Sequence, residues 1–317
     1  MRADKNASVK HDAGRAFLGE LIDDAGLFPP ARLSMEDALA AHERALASEA
    51  FWLVGRFVVP ASRIGDLALA LDDAPRPLGV TVVVDGATHL ADGLQALGRA
   101  ARGQSERVAI EALEVPFARL AGETDDERLA GLERLLAPAD FPVPPDLYVE
   151  VSLGDSAEPQ LVALERARGR GFAVAAKVRC GGLEASAVPT PAVLAHFLWT
   201  ANRANVPFKG TAGLHHALPF DDPSIGARTH GFLNLIGGAV LARARGVDRH
   251  TLETLLSDRD PANFRLNGTH FSWSGIGADA TEVAEARSNF VHSYGSCSLE
   301  EPLGDLRELA LLPALTT

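Results

Sequence analysis

Short apolar runs alternate along the chain with longer stretches in which apolar residues recur every three or four positions. The short runs predict β-strands, and the longer stretches predict amphipathic helices. Before residue 212 we predict seven strands, namely Gly26 to Phe28, Arg56 to Val59, Val80 to Val84, Val108 to Val115, Leu147 to Ser152, Phe172 to Arg179 and Val206 to Thr211. Alternation of this kind is typical of βαβ units around a parallel sheet.

The residues of these segments indicate a buried sheet that is covered by helices. Residues 80–84 and 172–176 are nearly all apolar, which is expected of strands covered on both faces. Capping-box patterns at Ser34 to Asp37 and Thr124 to Glu127, and the Thr190-Pro191 pair, indicate where helices begin.

The eighth strand is the ambiguous one. Residues 231–245 carry apolar side chains at helical spacing, so we predict a helix there. Asn267-Gly268 lies between the runs Phe264 to Leu266 and His270 to Trp273, which is typical of a β-hairpin. We therefore predict that this hairpin supplies strand eight.

The element count predicts an α/β fold, a single (β/α)8 TIM-type barrel spanning residues 1–317. We expect residues 1–22 to form an N-terminal extension and residues 274–317 to form a C-terminal extension that packs on the barrel. A doubly wound open sheet is the alternative, but no Gly-x-Gly-x-x-Gly turn follows the first strand to support nucleotide binding.

Composition narrows the class of protein. The 317 residues are 47% hydrophobic and carry a net charge of -12, which argues for a globular chain and against nucleic-acid binding. Two cysteines are too few for a disulfide framework or a thiolate zinc site. Neither a secretory signal in residues 1–15 nor an apolar run long enough for a membrane span is present, so we expect a cytoplasmic protein without membrane contact. Apolar helix faces are compatible with a homo-oligomer.

Polar side chains are concentrated at the predicted ends of strands six and seven. Alternation along a strand places Lys177 and Arg179 on one face of strand six, and Lys209 and Thr211 on one face of strand seven. Active sites of such barrels lie at the C-terminal ends of the strands, so these side chains are candidates for catalysis or substrate binding. The competing interpretation is that each lysine is an ordinary solvated or ion-paired residue.

Carboxylates on neighbouring strands are available to compensate these cations. They are Asp85 after strand three, Glu111 and Glu114 on strand four, and Glu150 on strand five. The spacing of Glu111 and Glu114 prevents both from pointing inward from a regular strand unless a bulge intervenes. We favour Glu111 as the inward residue.

Further candidates follow strand seven. We predict that His215 and His216 contact a substrate rather than a metal, because two nitrogens do not complete a zinc shell. Asn234, in the predicted helix, is a further substrate-binding candidate. Cys180 is expected to be a buried, inert thiol. We predict no cofactor and no metal.

At Lys177-Val178-Arg179-Cys180-Gly181 and at Lys209 the sequence resembles the Schiff-base aldolases of the deoxyribose-phosphate aldolase type. The resemblance covers strands six and seven only. It implies that Lys177 forms a Schiff base and that Lys209 lowers the pKa of that amine. The family's Lys-Thr-Ser-Thr-Gly is replaced here, and its acid/base Asp would be a Glu.

These observations favour a lyase or aldolase acting on a small anionic carbonyl compound. Lys177 would be the amine, Lys209 would tune it, Arg179 would hold the anion, and Glu111 or Glu150 would move protons. The alternatives are a non-covalent isomerase or epimerase, a metal-dependent hydrolase, and a non-catalytic barrel that binds a small anion.

Overall fold

A closed barrel of eight parallel strands forms the centre of the molecule, and this confirms the predicted fold class. The computed structural model describes residues 12–71, 77–85, 89–104 and 106–312. Its strands are Ile22–Asp24 (β1), Val54–Pro60 (β2), Leu78–Val83 (β3), Val108–Pro116 (β4), Asp146–Glu150 (β5), Ala175–Arg179 (β6), Phe208–Thr211 (β7), Phe220–Asp222 (β8), Ala227–Thr229 (β9), Phe264–Leu266 (β10), His270–Trp273 (β11), Ile276–Asp279 (β12) and Val291–Ser296 (β13). Around the barrel the strands follow the order β1, β13, β7, β6, β5, β4, β3, β2.

Helices connect the strands and pack on the outer surface of the barrel. They are Ala13–Leu18 (α1), Met35–Ala47 (α2), Ile64–Ala70 (α3), Leu90–Gly103 (α4), Asp125–Leu136 (α5), Ala157–Gly169 (α6), Pro191–Arg203 (α7), Phe232–Arg245 (α8), Arg249–Ser257 (α9), Ala280–Asn289 (α10) and Glu300–Glu308 (α11). The caps predicted from the sequence are present: Ser34, Thr124 and Thr190 each accept a backbone N–H at the start of their helix.

The prediction of strand eight is wrong. The hairpin at Asn267-Gly268 forms, but β10, β11 and β12 make a separate antiparallel sheet in which β11 is the central strand. The barrel is closed by β13, which pairs with β1 and with β7. Residues 274–317 are therefore not simply an extension of the barrel, because they contain its last strand.

The first strand also lies earlier than predicted. β1 covers Ile22–Asp24, whereas the prediction placed this strand at Gly26 to Phe28. The expected N-terminal extension of residues 1–22 therefore ends where β1 begins. Of that extension residues 1–11 lie outside the described residues, as do residues 313–317 of the expected C-terminal extension.

The two faces of the barrel strands differ in chemistry. Outward residues such as Val149 and Val178 are fully buried and belong to the large apolar core shared with the helices. Inside the barrel, Ala112, Tyr148 and Ala175 form a small separate apolar cluster. Because alternate residues share a face, each has an ionisable residue two positions further along its strand. The interior of the barrel is therefore apolar in one layer of side chains, and the next layer towards the C-terminal ends of the strands is ionic.

No helix among the described residues is long and apolar enough to cross a membrane.

Candidate active site

A buried cluster of five ionisable side chains lies inside the barrel, towards the C-terminal ends of the strands. Its members are Asp23 (β1), Glu114 (β4), Glu150 (β5), Lys177 (β6) and Lys209 (β7). Lys177 Nζ lies 2.6 Å from Glu114 Oε2 and 2.8 Å from Glu150 Oε2. Lys209 Nζ lies 2.5 Å from Asp23 Oδ2 and 2.7 Å from Glu114 Oε1. The Glu114 carboxylate thus bridges the two ammonium groups.

The strand register brings these residues together. Glu150 is paired with Lys177 across β5 and β6, and Lys177 is paired with Lys209 across β6 and β7. Side chains of paired residues on neighbouring strands point to the same face of the sheet. The lysine pair therefore follows from the register of the barrel.

The two lysines differ in depth. The Lys209 side chain is only 1% exposed and contacts carboxylates that are themselves buried. The Lys177 side chain is 7% exposed, and its partner Glu150 is 21% exposed. Lys177 is consequently the amine closer to solvent, while Lys209 forms the bottom of the cluster.

Burial alone would raise the pKa of Glu114, but the charges of Lys177 and Lys209 outweigh burial and lower it to about 2. Burial also favours the neutral form of Lys209, yet the neighbouring Asp23 and Glu114 carboxylates raise its pKa above the ordinary value. Both residues are therefore charged at neutral pH. Glu114 is an ionised acceptor, and Lys209 is a fixed cation.

Asp23 is held in place from three directions. Its Oδ2 accepts a hydrogen bond from Ser293 Oγ at 2.9 Å as well as from Lys209, and its Oδ1 accepts one from the backbone N–H of Arg56 at 2.9 Å. A Cβ at Gly55 would collide with Asp23 Oδ1, so glycine is required for this close approach. The neighbouring Asp24 faces outward and contacts His42 Nδ1 at 3.0 Å.

Tyr148 and His292 form the layer beneath the cluster. Lys209 Nζ lies 5.3 Å from the centre of the Tyr148 ring, and Tyr148 Oη shares a hydrogen bond of 2.8 Å with His292 Nδ1. Burial and the nearby Arg287 lower the pKa of His292 to about 4, so this histidine is neutral at pH 7. The layer that Tyr148 and His292 form below the lysines is therefore uncharged at pH 7.

Glu114, and not the favoured Glu111, is the carboxylate of β4 that reaches the lysines, and the bulge that the prediction allowed for is present. In the pairing of β3 with β4, Val80 faces Ile110 and Thr81 faces Ala112, so Glu111 is the extra residue of a bulge. Glu111 Oε2 lies 3.1 Å from Arg56 Nε, away from the lysines. The inward position near the C-terminal ends is occupied by Glu114.

Arg179, Thr211 and Asp85 lie around the C-terminal mouth of the barrel, outside the ionic cluster. Arg179 is exposed at the end of β6 and is paired in register with Thr211 at the end of β7. Asp85 accepts hydrogen bonds from the backbone N–H and the hydroxyl of Ser62, at 2.9 and 2.6 Å, in the loop after β2. Arg179 and Thr211 therefore border the entrance, whereas Asp85 connects two loops.

The two histidines connect the loop after β7 to α11. His215 Nδ1 lies 2.9 Å from Glu301 Oε2, and His216 Nδ1 lies 3.2 Å from Asp305 Oδ2. Their predicted contact with a substrate stays a prediction. Among the described residues, no group of three or more His, Cys, Asp or Glu side chains is arranged to hold a metal ion.

Asn234 does not reach the ionic cluster. It is fully buried in α8 and donates from Nδ2 to the carbonyl oxygens of Leu255, at 2.6 Å, and Asp258, at 2.8 Å. This amide fixes the end of α9 against α8. The prediction that Asn234 binds substrate is therefore wrong.

Comparison with known proteins adds no argument to what the strand order and the ionic cluster show. No protein-family model matches the chain, and no curated protein matches it significantly. Among solved structures, the chain is similar to deoxyribose phosphate aldolase from Aeropyrum pernix, described as having a unique tetrameric structure. The two are 13% identical, 96% of this chain and 97% of that chain are covered, and the TM-score is 0.36.

That enzyme is of the type that the segments around Lys177 and Lys209 resemble in sequence. A TM-score of 0.36 is too low to carry an argument about this chain. The barrel is assigned from its own strand order, and the function has to be inferred from the geometry of the ionic cluster.

Proposed function

We propose that the protein is a lyase of the aldolase kind, which acts on a small anionic carbonyl compound through a Schiff base at Lys177. The observation that carries this proposal is the position of Lys177 Nζ between two carboxylates, 2.6 Å from Glu114 and 2.8 Å from Glu150. An amine attacks a carbonyl only after losing a proton, and here a proton acceptor is already in contact with it.

Glu150 is the better acceptor of the two. Glu114 contacts both ammonium groups, and its lowered pKa of about 2 makes it a weak base. Glu150 contacts Lys177 and is the more exposed of the two carboxylates, so it can exchange protons with solvent. In the proposed reaction Glu150 takes the proton from Lys177, and Glu114 remains ionised to compensate the cations around it.

The covalent step then follows ordinary imine chemistry. The neutral Lys177 amine forms a bond to the carbonyl carbon, and the carbonyl oxygen takes up a proton to give a carbinolamine. Glu150 returns a proton as this hydroxyl leaves as water, and a protonated imine remains. The ionised Glu150 then takes the proton of the β-hydroxyl as the bond between the α and β carbons breaks, an aldehyde leaves, and the electron pair passes to the protonated imine to give an enamine. Glu150 returns this proton to the enamine carbon, and water hydrolyses the imine to release the second carbonyl product and regenerate the lysine.

The remaining candidates have supporting roles in this proposal. Lys209 holds Glu114 ionised from below, at 2.7 Å, instead of acting as a bare cation beside Lys177. Arg179 is exposed at the mouth and presents a guanidinium that suits a bidentate contact with a carboxylate or phosphate. Thr211, its neighbour in register, supplies a hydroxyl at the same edge.

A non-covalent isomerase or epimerase is the second candidate, and one specific observation favours it. Lys177 and Lys209 are both ion-paired with buried carboxylates, as expected if the ammonium groups act by stabilising an enolate. The two candidates differ in the role of Lys177. Only the Schiff-base mechanism requires its neutral amine as a nucleophile, whereas the non-covalent mechanism requires only its positive charge.

Borohydride trapping with a matched pair of variants tests the proposal. Three proteins are compared: wild type, Lys177→Met and Lys177→Arg. Each is incubated with a panel of small aldehydes, keto acids and sugar phosphates and reduced with sodium borohydride, and its mass is then measured by intact-protein mass spectrometry. We expect an adduct in wild type that maps to Lys177 and is absent in both variants. Arg166→Met serves as the control, because Arg166 lies on the outer helix α6, pairs with Asp126 of α5, and has no role in the proposed site.

Two results would count against the Schiff base. An adduct that persists in Lys177→Arg would place the chemistry on another amine. Absence of any adduct, combined with turnover that survives in Lys177→Arg, would favour the non-covalent candidate, since arginine keeps the charge and lacks the nucleophile.

A further inference from the structure

A second group of reactive side chains lies at the C-terminal mouth, apart from the lysine cluster. Cys297 follows directly after β13, His215 lies in the loop after β7, and Glu301 lies in the first turn of α11. Cys297 Sγ is 3.8 Å from His215 Nε2 and 3.9 Å from Nδ1. His215 Nδ1 is in turn 2.9 Å from Glu301 Oε2.

These three residues are in the order of a nucleophile, a base and a group that orients the base. A carboxylate accepts a hydrogen bond and cannot donate one when ionised, so contact with Glu301 favours the histidine tautomer with hydrogen on Nδ1. Nε2 is then left as an acceptor for the thiol proton. The same logic orients the histidine in catalytic triads that use cysteine or serine.

The other cysteine of the chain lacks every part of this arrangement. Cys180 is 0% exposed, its Sγ lies 3.9 Å from the carbonyl oxygen of Val178, and burial raises its thiol pKa to about 12. Cys297 is partly exposed. The chain therefore contains an accessible thiol beside a base and an inaccessible one that serves as an internal reference.

The charges around Cys297 define which reagents it can meet. Burial raises the pKa of its thiol, as do the Glu301 and Asp24 carboxylates, while a backbone hydrogen bond from Ala31 acts in the opposite direction. The thiol is therefore protonated at neutral pH and needs a base in order to react. The two carboxylates also disfavour the approach of an anion.

We propose that Cys297, His215 and Glu301 form a covalent modification site for small uncharged electrophiles. With iodoacetamide as the probe, His215 Nε2 takes the thiol proton as sulfur attacks the methylene carbon. A carbon–sulfur bond forms, the carbon–iodine bond breaks, iodide leaves, and the imidazolium passes its proton to solvent. The inference does not depend on a Schiff base at Lys177.

The test measures the rate at which each cysteine of the native protein is carbamidomethylated, by quenching with acid, digestion and mass spectrometry. We expect Cys297 to react about tenfold or more faster in wild type than in His215→Gln at pH 7, because general-base assistance is lost. Glu301→Gln should show a smaller decrease. His216→Gln is the matched control, because His216 is adjacent to His215 in sequence but pairs with Asp305 and not with Glu301.

Two further measurements make the result specific. In His215→Gln the rate should rise about tenfold per pH unit across neutral pH as thiolate forms, and the wild-type rate should depend less steeply on pH, because the protonated thiol also reacts when a base is beside it. Iodoacetate should be slower than iodoacetamide by a larger factor at Cys297 than at free cysteine. Cys180 should stay unlabelled and so report that every variant is folded.

Equal rates in wild type and His215→Gln, with Cys180 still protected in both, would overturn the proposal. So would an equal decrease in His216→Gln, because the effect would then belong to the loop as a whole and not to the base beside Cys297.

Discussion

Both ends of the barrel carry ion pairs, but the pairs differ in burial. At the C-terminal end Glu114 lies between Lys177 and Lys209, and its side chain is 4% exposed. Nearer the N-terminal end Arg56 contacts Glu111 and Asp146, whose side chains are 36% and 57% exposed. Two glutamates of one strand, three residues apart, therefore occupy environments of very different effective dielectric constant.

The difference is informative because buried charges are costly to assemble and more costly to leave unpaired. The exposed group at the N-terminal end is explained as ordinary surface electrostatics. Five charged side chains inside a barrel that would otherwise be filled by apolar residues have no such explanation. Shifted pKa values, such as those of Glu114 and Lys209, are frequent at functional sites, which supports the proposal that this cluster is the active site.

Glu114→Gln is expected to give the largest effect. It removes the carboxylate that both ammonium groups share, and loss of one partner in a buried ion pair costs about 3 to 5 kcal/mol. Equilibrium unfolding in urea measures this change in the free energy of unfolding. Asp23 and Glu150 still contact the lysines in the variant, so we expect it to fold. A change below about 1 kcal/mol would place Glu114 in the same class as an exposed pair.

The pH dependence of stability gives a somewhat smaller effect from the same residue. The pKa of Glu114 is lowered from 4.5 to about 2 in the folded protein, so the unfolded state binds the proton more tightly. Its stabilisation is complete above pH 4.5 and is lost as the pH falls towards 2. The shift corresponds to about 3 kcal/mol.

Comparison of wild type with Glu114→Gln isolates this contribution, because the other carboxylates titrate in both proteins. We expect the free energy of unfolding of wild type to fall more steeply than that of the variant between pH 4.5 and 2. Parallel curves over that range would show that Glu114 has an ordinary pKa in the folded state.

The sequence predicted the inner strands β2 to β7 correctly, but it did not predict the two strands that close the barrel, β1 and β13. Most inner strands were found because their outward residues are apolar and their neighbours alternate with capped helices. β13 was missed because its sequence, Val-His-Ser-Tyr-Gly-Ser, includes polar side chains that face the polar interior, as His292 and Ser293 do. β1 is only three residues long and contains two aspartates, of which Asp23 faces the interior and Asp24 contacts His42 on the outer side, so it lacks an apolar run.

The two lysines and Glu150 were predicted as site residues from the sequence, whereas Asp23 was not, and the choice between the two glutamates of β4 was not resolved. Lys177 and Lys209 are visible because alternation along adjacent strands places them on one face. Asp23 contacts Lys209 across 186 positions of sequence, and no local pattern encodes that contact. The choice between Glu111 and Glu114 depended on a bulge, which shifts the register by one residue and has no signature in this segment.

Glu111→Gln completes the comparison and is expected to have the smallest effect. The Arg56–Glu111 pair is partly exposed, and Arg56 keeps its contact of 2.7 Å with Asp146 in the variant. Exposed pairs contribute up to about 1 kcal/mol, so unfolding in urea should show a loss within that limit, and added salt should reduce the difference from wild type. A loss as large as that of Glu114→Gln would mean that the interior of the barrel behaves as one ionic network from end to end. The distinction between an exposed N-terminal group of ion pairs and a buried C-terminal cluster would then have to be abandoned.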